Sequence, residues 1–464
     1  MGCGIWEYEE PGSLIANERI PAFSFLTKPY PSFTMQHVWL SHLLASTTTQ
    51  LLRALVRTSL LGGLACWLLA CTDHPLTSTP SFNQSKVQRA VDSVRLALEK
   101  DLQNSVPSLN VLIQTPTEKI WASSVPEGGF PVTEHTNFRF ASNTKTFTAT
   151  SILKMHQDGW LNYKAKLTDL IPGTKIPYVP NDWDFPYKNE ITIEQLLQHT
   201  AGVYDVDNEP VPGFGGQSYT AYMQAADPRH QFNADELIYQ LKLHKLSFFP
   251  PGTSYHYSNT GYTILGYIIA QVYSHKYGRT RTYEDYLSDY IVGPASPVFL
   301  NLRFPVWASD VVLPAPRMEG MERLPGKTIL YGDYNMSAQV AEGNGYGSPA
   351  SLNTFVRTLM KGQNVLSPAT VKIMQTGHGN SFHPAYRLGT ILFPNLGYGH
   401  NGERTGYLSL MAYDPLTDVS VVAYISLVDK TQGVDGNDSF LKCFQAIYDA
   451  AWGARAALGY PGRP

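Results

Sequence analysis

Apolar residues recur every three or four positions where the regular patterning of the chain begins. This spacing predicts an amphipathic first helix with one apolar face: Val87, Val91, Val94, Leu98 and Leu102. Two runs typical of β-strands follow, at 108–114 and 119–123, with Pro116-Thr117 between them. We therefore expect a helix followed by a β-hairpin.

Helical patterns dominate the middle of the chain. One predicted helix follows Lys145, a short one lies within 191–202, and a third starts at Asn233 with a pattern similar to a capping box. Residues 203–232 and 292–330 are rich in glycine, proline and polar side chains, and we expect them to be long irregular segments.

Strand patterns return near the carboxyl end. Three runs, at 387–393, 406–413 and 419–426, alternate in polarity or are continuously apolar, with glycine and Asp-Pro turns between them. This is typical of an antiparallel meander. A helical pattern from about Ser439 to Leu458 follows and is expected to close the fold.

Strands at both ends of the chain, with helices between them, indicate one α/β domain of the α+β type, placed at 85–460. The antiparallel sheet is expected to combine about 85–140 with about 380–460. Residues from about 141 to 375 would form an inserted helical lobe. A cleft between the two layers would be a natural substrate site.

The composition is that of an ordinary globular protein. Apolar residues make up 43% and charged residues 16%, and the formal net charge of −3 gives no reason to expect nucleic acid as a partner. Of the four cysteines, Cys3, Cys66 and Cys71 precede the predicted domain, so neither a disulfide framework nor a cysteine zinc site is expected. The histidines show no metal-ligand spacing, and we expect no metal and no organic cofactor.

The amino-terminal segment is predicted to lie outside the folded domain. Arg53 and Arg57 precede the short charge-free apolar run 59–70, and Cys71 follows a small residue, which is the pattern of a secretory signal. The run is too short to span a bilayer. A buried core helix is the other interpretation, but the polar stretch after Cys71 is typical of a tether.

Leu68-Leu69-Ala70-Cys71 also resembles the bacterial lipoprotein box, in which the cysteine becomes lipidated. We therefore assign 35–70 to a signal and 71–84 to a tether, with Cys71 as a lipid anchor that holds the protein to the membrane. Residues 1–34 are a leader without assigned function, which a misplaced start codon would explain. The predicted location is the bacterial cell envelope, with the domain facing the periplasm.

Ser142 and Lys145 supply the first candidate chemistry. Residues three apart project from one helix face, so the Lys145 amine would reach the Ser142 hydroxyl and accept its proton. This requires a neutral amine, and lowering a lysine pKa by roughly three units takes about 4 kcal/mol. Burial or nearby positive charge would have to supply that energy. Alone, the motif is common by chance.

Two further segments bring polar side chains to the ends of predicted elements. Tyr257 and Asn259 lie at a loop-to-helix junction, where the tyrosine could act as acid or base once neighbouring lysine charge lowers its pKa. The simpler interpretation is that Tyr257 packs beneath the loop and Asn259 caps the helix. His400 and Gly402 lie at a strand edge, where glycine permits close approach of a ligand. A lone histidine is more often structural, although this one could polarise a substrate or bear on the proton relay.

Together, Ser-x-x-Lys at Ser142, Tyr-x-Asn at Tyr257 and His-x-Gly at His400 resemble the three signature boxes of the serine β-lactamase and penicillin-binding protein superfamily. Flanking sequences resemble family phrases as well: Ile191–Gly202, Pro250-Pro251-Gly252, Gly399–Gly402 and Tyr413-Asp414-Pro415. Over about 85–455 the chain is most similar to the branch that holds class C β-lactamases, D-alanyl-D-alanine carboxypeptidases and related esterases.

The resemblance implies a role for each position. Ser142 would be the nucleophile, and Lys145 would activate it and share the proton with Tyr257. Asn259 would hold the lysine and the amide side chain of the substrate. His400 would replace the lysine of the commoner Lys-Thr-Gly box.

The third box also implies where the oxyanion hole lies. At two positions of this region the sequence departs from the family. The backbone N–H groups of Ser142 and Glu403 would bind the oxyanion beside Gly402. Asn401 stands where many members have a hydroxyl that helps to bind the substrate carboxylate. Glu403 adds a negative charge where glycine is frequent, which would repel an anionic substrate unless Arg404 pairs with it.

The expected activity is that of an acyl-enzyme serine hydrolase similar to the D-alanyl-D-alanine carboxypeptidases, which also bind penicillin. An esterase or amidase is the alternative that His400 and the weakened carboxylate site favour. β-Lactamase activity and a non-catalytic penicillin-binding sensor are further alternatives. The expected partners are a small peptide, ester or β-lactam substrate and the membrane, and the oligomeric state is left open.

Overall fold

The computed structural model describes residues 81–464, except 295, 377–382, 384 and 405. Its strands are, in chain order, β1 (Leu109–Gln114), β2 (Lys119–Ser124), β3 (Phe138–Arg139), β4 (Leu302–Arg303), β5 (Gly320–Leu324), β6 (Lys327–Tyr331), β7 (Tyr346–Gly347), β8 (Ile391–Phe393), β9 (Gly397–Arg404), β10 (Tyr407–Asp414), β11 (Val419–Ile425) and β12 (Leu427–Asp429).

The helices alternate with these strands and are concentrated in the middle of the chain. They are α1 (Phe82–Leu102), α2 (Thr144–Gln157), α3 (Ile193–Leu197), α4 (Tyr219–Ala226), α5 (Ala234–His244), α6 (Asn259–Tyr277), α7 (Tyr283–Tyr286), α8 (Pro349–Met360), α9 (Pro368–Thr376) and α10 (Asn437–Ala457).

The two ends of the described chain build one six-stranded sheet with the order β2-β1-β11-β10-β9-β8. Every neighbouring pair is antiparallel, and Leu112 of β1 lies opposite Val422 of β11. The predicted hairpin, the meander and the α+β fold class are therefore confirmed.

One face of this sheet is covered by the first and last helices. α1 begins after Ser81, whose side-chain oxygen accepts a hydrogen bond from the Gln84 N–H. Val87, Val91 and Leu98 are buried, as their spacing predicts. They pack with apolar residues of α10 and of the sheet into one of two cores.

The other face of the sheet supports α2, which is buried on nearly every side. The hydroxyl groups of this helix are satisfied internally: Thr150 Oγ1 donates to the Thr146 carbonyl at 2.7 Å and Ser151 Oγ to that of Phe147 at 2.9 Å. Internal hydrogen bonds of this kind allow polar side chains to be buried. The helix that follows the Ser-x-x-Lys motif is therefore a central element, held from all sides.

Two segments predicted to be irregular contain regular structure. Within 203–232, α4 forms after Ser218, whose side chain caps it by accepting the Ala221 N–H. Within 292–330, β5 forms because it pairs with β6 and, in parallel, with the distant β12. Neither element has a strong local pattern, and the strand depends on a partner from another part of the chain.

The leader 1–34, the signal 35–70 and the proposed anchor Cys71 lie outside the described residues. Residues 82–84, predicted to belong to the tether, are part of α1, because Ser81 caps that helix. The predicted tether residues 71–80 lie outside the described residues. The described residues belong to one compact unit. Within them, we find no helix with the length and apolar character needed to cross a bilayer.

Candidate active site

Ser142 lies where the sheet meets α2. It occupies a single 3₁₀ turn, Ala141–Asn143, whose first residue has a φ of +51°. The Asn143 side chain donates to the Phe140 carbonyl and to Ser409 Oγ, both at 2.8 Å, which ties this nucleophile turn to β10. Ser142 thus lies just before the helix rather than within it.

Lys145 is fully buried and reaches the candidate nucleophile. Its Nζ lies 3.2 Å from Ser142 Oγ and donates to Asn259 Oδ1 at 2.7 Å and to the Glu342 carbonyl at 2.9 Å. Burial lowers the pKa of Lys145 against the opposing effect of the Glu342 and Asp205 carboxylates. The direction is the one that proton transfer from serine requires, and burial rather than positive charge is its cause.

Glu342 is a site residue that sequence reasoning missed. Its side chain is buried, and its Oε2 lies 3.4 Å from Lys145 Nζ. Burial raises the pKa of Glu342 to about 8. Both pKa shifts favour the state in which the carboxyl group holds the proton and Lys145 is a neutral amine. The available signal was a single charged residue in the otherwise uncharged run 340–347.

Tyr257 and Asn259 stand at the start of α6, as predicted. Ser258, rather than Asn259, caps this helix by accepting a backbone N–H at its side chain. The Tyr257 hydroxyl is hydrogen-bonded to the Ser142 side chain, and its ring lies 4.7 Å from Lys145 Nζ. Burial raises the pKa of Tyr257 well above its ordinary value, the opposite of the expected lowering, so this phenol keeps its proton in the free protein.

A buried pair of aspartates holds Asn259. Asn259 Nδ2 donates to Asp207 Oδ2 at 2.9 Å, and its backbone N–H donates to Asp205 Oδ2 at 3.0 Å. Arg404 Nη2 donates to both oxygens of Asp207, at 2.8 and 2.9 Å. Burial by itself would raise the pKa of Asp207, but Arg404 and the hydrogen bonds lower it. Arg404 therefore pairs with Asp207 and not with Glu403, and the aspartates went unrecognised because they lie in a segment predicted to be irregular.

His400 belongs to a buried chain of hydrogen bonds. The Ser258 N–H donates to His199 Nδ1 at 3.1 Å, so His199 Nε2 carries the hydrogen that it shares with the Tyr386 hydroxyl at 3.0 Å. Tyr386 in turn donates to His400 Nε2 at 3.1 Å, and His400 Nδ1 donates to the Asn401 carbonyl at 2.5 Å. Burial lowers the pKa of His400 to about 3. A neutral imidazole therefore links the start of α6 to β9.

The free energy of unfolding is expected to fall by about 2 kcal/mol between pH 7 and pH 5 through His400 alone. A buried neutral histidine binds a proton more readily when unfolded, so stability is lost as the pH falls below the unfolded value of about 6.5. Urea unfolding at both pH values should show that His400→Gln reduces this pH dependence, whereas His275→Gln, at an exposed position, leaves it unchanged. An unaltered pH dependence in His400→Gln would contradict the assignment.

The catalytic cavity, about 170 Å³ in volume, opens between the nucleophile turn and β9 and is bordered by Ser142, Tyr257, Glu342 and residues 401–404. β8 pairs with β9 only as far as Gly399, so the next part of that edge faces the turn. The approach is close: a Cβ on Gly402 would lie 2.5 Å from the Phe140 carbonyl oxygen and 2.9 Å from the Ser142 nitrogen.

Asn401 and Glu403 border the same cavity with different partners. Asn401 Nδ2 donates to the Tyr448 hydroxyl at 2.7 Å, which leaves one amide hydrogen for a ligand. Glu403 is partly exposed, and its pKa is raised by burial. His400 itself is not among the described residues that border the cavity.

Comparison with known proteins gives a family and several relatives. The Beta-lactamase family matches residues 86–442. Protein flp from Staphylococcus aureus (strain NCTC 8325 / PS 47) is 29% identical over 197 residues, or 41% of this chain and 34% of the relative. Penicillin-binding protein 4* from Bacillus subtilis (strain 168) is 28% identical over 167 residues, or 36% of this chain and 30% of the relative. The chain thus spans about a third of the length of the curated relatives that it matches.

Solved structures share the fold at low sequence identity. The D-amino acid amidase from Ochrobactrum anthropi SV3 complexed with D-phenylalanine has a TM-score of 0.60 at 20% identity and covers 80% of this chain and 99% of its own. The penicillin binding protein from Bacillus halodurans has a TM-score of 0.53 at 20% identity, with 76% and 98% covered. The family match over most of the sequence, together with this fold, shows that the chain belongs to the beta-lactamase family of serine hydrolases.

Proposed function

We propose that the chain cleaves small D-aminoacyl amides or peptides by transferring the acyl group to Ser142. The observation that carries acyl transfer is the set of contacts that brings Lys145 Nζ to Ser142 Oγ at 3.2 Å while Asn259 and Glu342 hold it. The D-aminoacyl class is supported by the fold shared with a D-amino acid amidase. A cavity of about 170 Å³ suits a small acyl group, because drug-sized ligands occupy larger pockets.

In acylation, the neutral Lys145 amine accepts the Ser142 proton, with the Tyr257 hydroxyl as the bridging group. Ser142 Oγ bonds to the carbonyl carbon of the substrate, and the backbone N–H groups of Ser142 and Glu403 stabilise the oxyanion. When the C–N bond breaks, the leaving nitrogen takes the proton back from the Lys145 ammonium through Tyr257. The acyl group then remains on Ser142 as an ester.

Deacylation repeats these steps with water. Water loses a proton toward Tyr257 and Lys145, its oxygen bonds to the ester carbon, and Ser142 leaves with the returned proton. The raised pKa of Tyr257 favours a relay in which the phenol gives one proton as it receives another. Glu342 is compatible with the relay when it holds its own proton, because a neutral carboxyl group does not stabilise the Lys145 ammonium.

A D-alanyl-D-alanine carboxypeptidase is the second candidate, which the similarity to penicillin-binding relatives supports. That reaction requires the site to accept a substrate carboxylate. Of the described residues that border the cavity, Arg404 is the one basic residue, and it is bound to Asp207. An amide or ester without the carboxylate therefore fits this site better.

Trapping of the acyl-enzyme tests the proposal. The protein is incubated briefly with benzylpenicillin, with a D-alanyl-D-alanine peptide and with p-nitrophenyl acetate, and its mass is then measured. We expect the mass of one acyl group on the peptide that contains Ser142, and one equivalent of p-nitrophenol released in a burst. If none of the three compounds gives an adduct, or if the adduct lies on another residue, acyl transfer at Ser142 is refuted.

We further propose that Cys71 anchors the domain to the membrane, on the strength of its position after the apolar run 59–70. In bacterial expression, Cys71→Ser is expected to move the protein from the membrane fraction to the soluble fraction, measured by immunoblot after fractionation. Cys66→Ser is the matched control and should leave the distribution unchanged. Membrane association that persists in Cys71→Ser would exclude a lipid anchor at this position.

A further inference from the structure

The catalytic cavity is bordered by two carboxyl groups that its basic residues do not fully engage. Glu342 and Glu403 border it, next to the guanidinium of Arg404. Arg404 is engaged by both oxygens of Asp207. Lys145 contacts the Glu342 carboxyl group only at Oε2, and its other hydrogen-bond partners are Ser142, Asn259 and the Glu342 backbone carbonyl. The remaining carboxyl oxygens have no basic side chain of their own in the described part of the chain.

These oxygens are also without hydrogen bonds. Glu342 is 2% exposed, and its Oε1 has no partner among the described residues. The Glu403 carboxylate forms neither a hydrogen bond nor an ion pair with any residue that the structure describes, although it borders the same cavity. A buried polar atom without a partner is costly, so Glu342 Oε1, together with the unpaired Glu403 carboxylate at the same cavity, points to a ligand with hydrogen-bond donors.

We infer that the substrate carries an ammonium group beside the scissile carbonyl and that Glu342 Oε1 and the Glu403 carboxylate bind it. An ammonium group has three N–H donors and a positive charge. It can therefore donate a hydrogen bond to Glu342 Oε1 and form an ion pair with the Glu403 carboxylate. The inference rests on the proposed function and narrows it: the acyl donor is an amide or ester of an amino acid with a free amino group.

The two carboxyl groups contribute differently. Glu342 accepts a hydrogen bond at Oε1 whether or not Oε2 holds a proton, so it can bind the ammonium while Lys145 stays neutral. Glu403 supplies the charge. Burial raises the pKa of Glu403, and a bound ammonium opposes that shift because an opposite charge favours the carboxylate.

A metal ion is the other cation that carboxylates bind. No group of three or more histidine, cysteine, aspartate or glutamate side chains in the described part of the chain has an arrangement that could hold one. The neighbouring cavity, about 580 Å³, shares Glu403 and Arg404 with the catalytic cavity. It provides space for the rest of a substrate whose amino group is held at Glu403.

The test compares D-alanine p-nitroanilide, whose α-amino group is a charged ammonium, with N-acetyl-D-alanine p-nitroanilide, whose α-nitrogen is an uncharged amide. We expect kcat/KM to be roughly 10- to 100-fold higher for the free amine, the range of a charge-assisted hydrogen bond. Glu403→Gln and Glu342→Gln should each lower this ratio about 10-fold, mainly through KM of the free amine. Glu284→Gln is the matched control, because that carboxylate is bound by Arg303 Nε at 2.6 Å and borders neither of the two cavities, and it should leave the ratio unchanged.

Equal turnover of the two anilides by the unaltered protein would overturn the inference, as would a preference that survives Glu403→Gln. The p-nitrophenol burst from p-nitrophenyl acetate needs no ammonium group. If the burst occurs but the free amine is not preferred, only this inference is refuted. If the burst is absent, the proposed function is refuted as well. Glu403 is partly exposed, so its variant keeps the test decisive even where Glu342→Gln does not fold.

Discussion

Replacing Ser142 by alanine is expected to lower kcat about 10⁴-fold or more for every amide and ester, because the variant has no oxygen to carry the acyl group. The free energy of unfolding should change by no more than about 0.5 kcal/mol, since a small, partly exposed hydroxyl is removed. Steady-state kinetics with the p-nitroanilides and p-nitrophenyl acetate measure the first quantity, and urea unfolding the second. Residual turnover from the oxyanion N–H groups and binding is consistent with the mechanism.

Ser151→Ala is the matched control for this prediction. Ser151 is buried in α2, its hydroxyl donates to the Phe147 carbonyl, and it is not among the described residues that border the cavity. Its removal should leave kcat within a few-fold of the unaltered protein. Normal turnover by Ser142→Ala would show that another residue is the nucleophile.

Gly402→Ala is expected to lower kcat by about 10²- to 10³-fold, the effect of losing one oxyanion donor. The added Cβ would lie 2.5 Å from the Phe140 carbonyl oxygen and 2.9 Å from the Ser142 nitrogen. Both are backbone atoms, so no side-chain rotation relieves the contact, and β9 must move away from the nucleophile turn. The oxyanion N–H groups on the two elements then separate. The same contact should cost about 1–3 kcal/mol of unfolding free energy.

The control for Gly402→Ala is Gly453→Ala in α10, where a Cβ would lie 3.6 Å from Ala90 Cβ in ordinary contact. Alanine is the better helix former, so this variant should be at least as stable as the unaltered protein and fully active. A crystal structure or the rate of the p-nitrophenol burst would locate the Gly402→Ala defect in acylation. An unaltered burst rate would show that the close approach of β9 has no part in catalysis.

The short motifs were recognisable because each places its polar residues within one turn or one strand. Ser142 and Lys145 are three positions apart, so local geometry brings them together. Tyr257 and Asn259 lie on either side of Ser258, an extended residue, and such a spacing places two side chains on one side of the chain. Their meeting across the chain was inferred from resemblance, and the structure brings Tyr257 and Asn259 to Lys145. Residues that act singly gave no such signal: Glu342 was one charged residue in an uncharged run.

The burial and the charged neighbours of each site residue could also not be predicted from the sequence. The direction of the Tyr257 pKa shift was expected to follow the charge of Lys145, but burial prevails because the phenol is enclosed. Arg404 was considered as a partner for Glu403, but in the structure it binds both carboxylate oxygens of Asp207, a residue of the segment 203–232. A hydrogen-bond partner from a distant segment cannot be read from spacing along the chain.

The sequence by itself determined the α+β architecture and the family, because the apolar periodicity at both chain ends and three local motifs are properties of short segments. Only the tertiary structure decided which carboxylates are neutralised, which oxygens remain without a partner and how closely Gly402 approaches Ser142. Those properties depend on distances between segments far apart in the chain. In this protein such distances set the protonation of Lys145 and the charge that the cavity presents to its substrate.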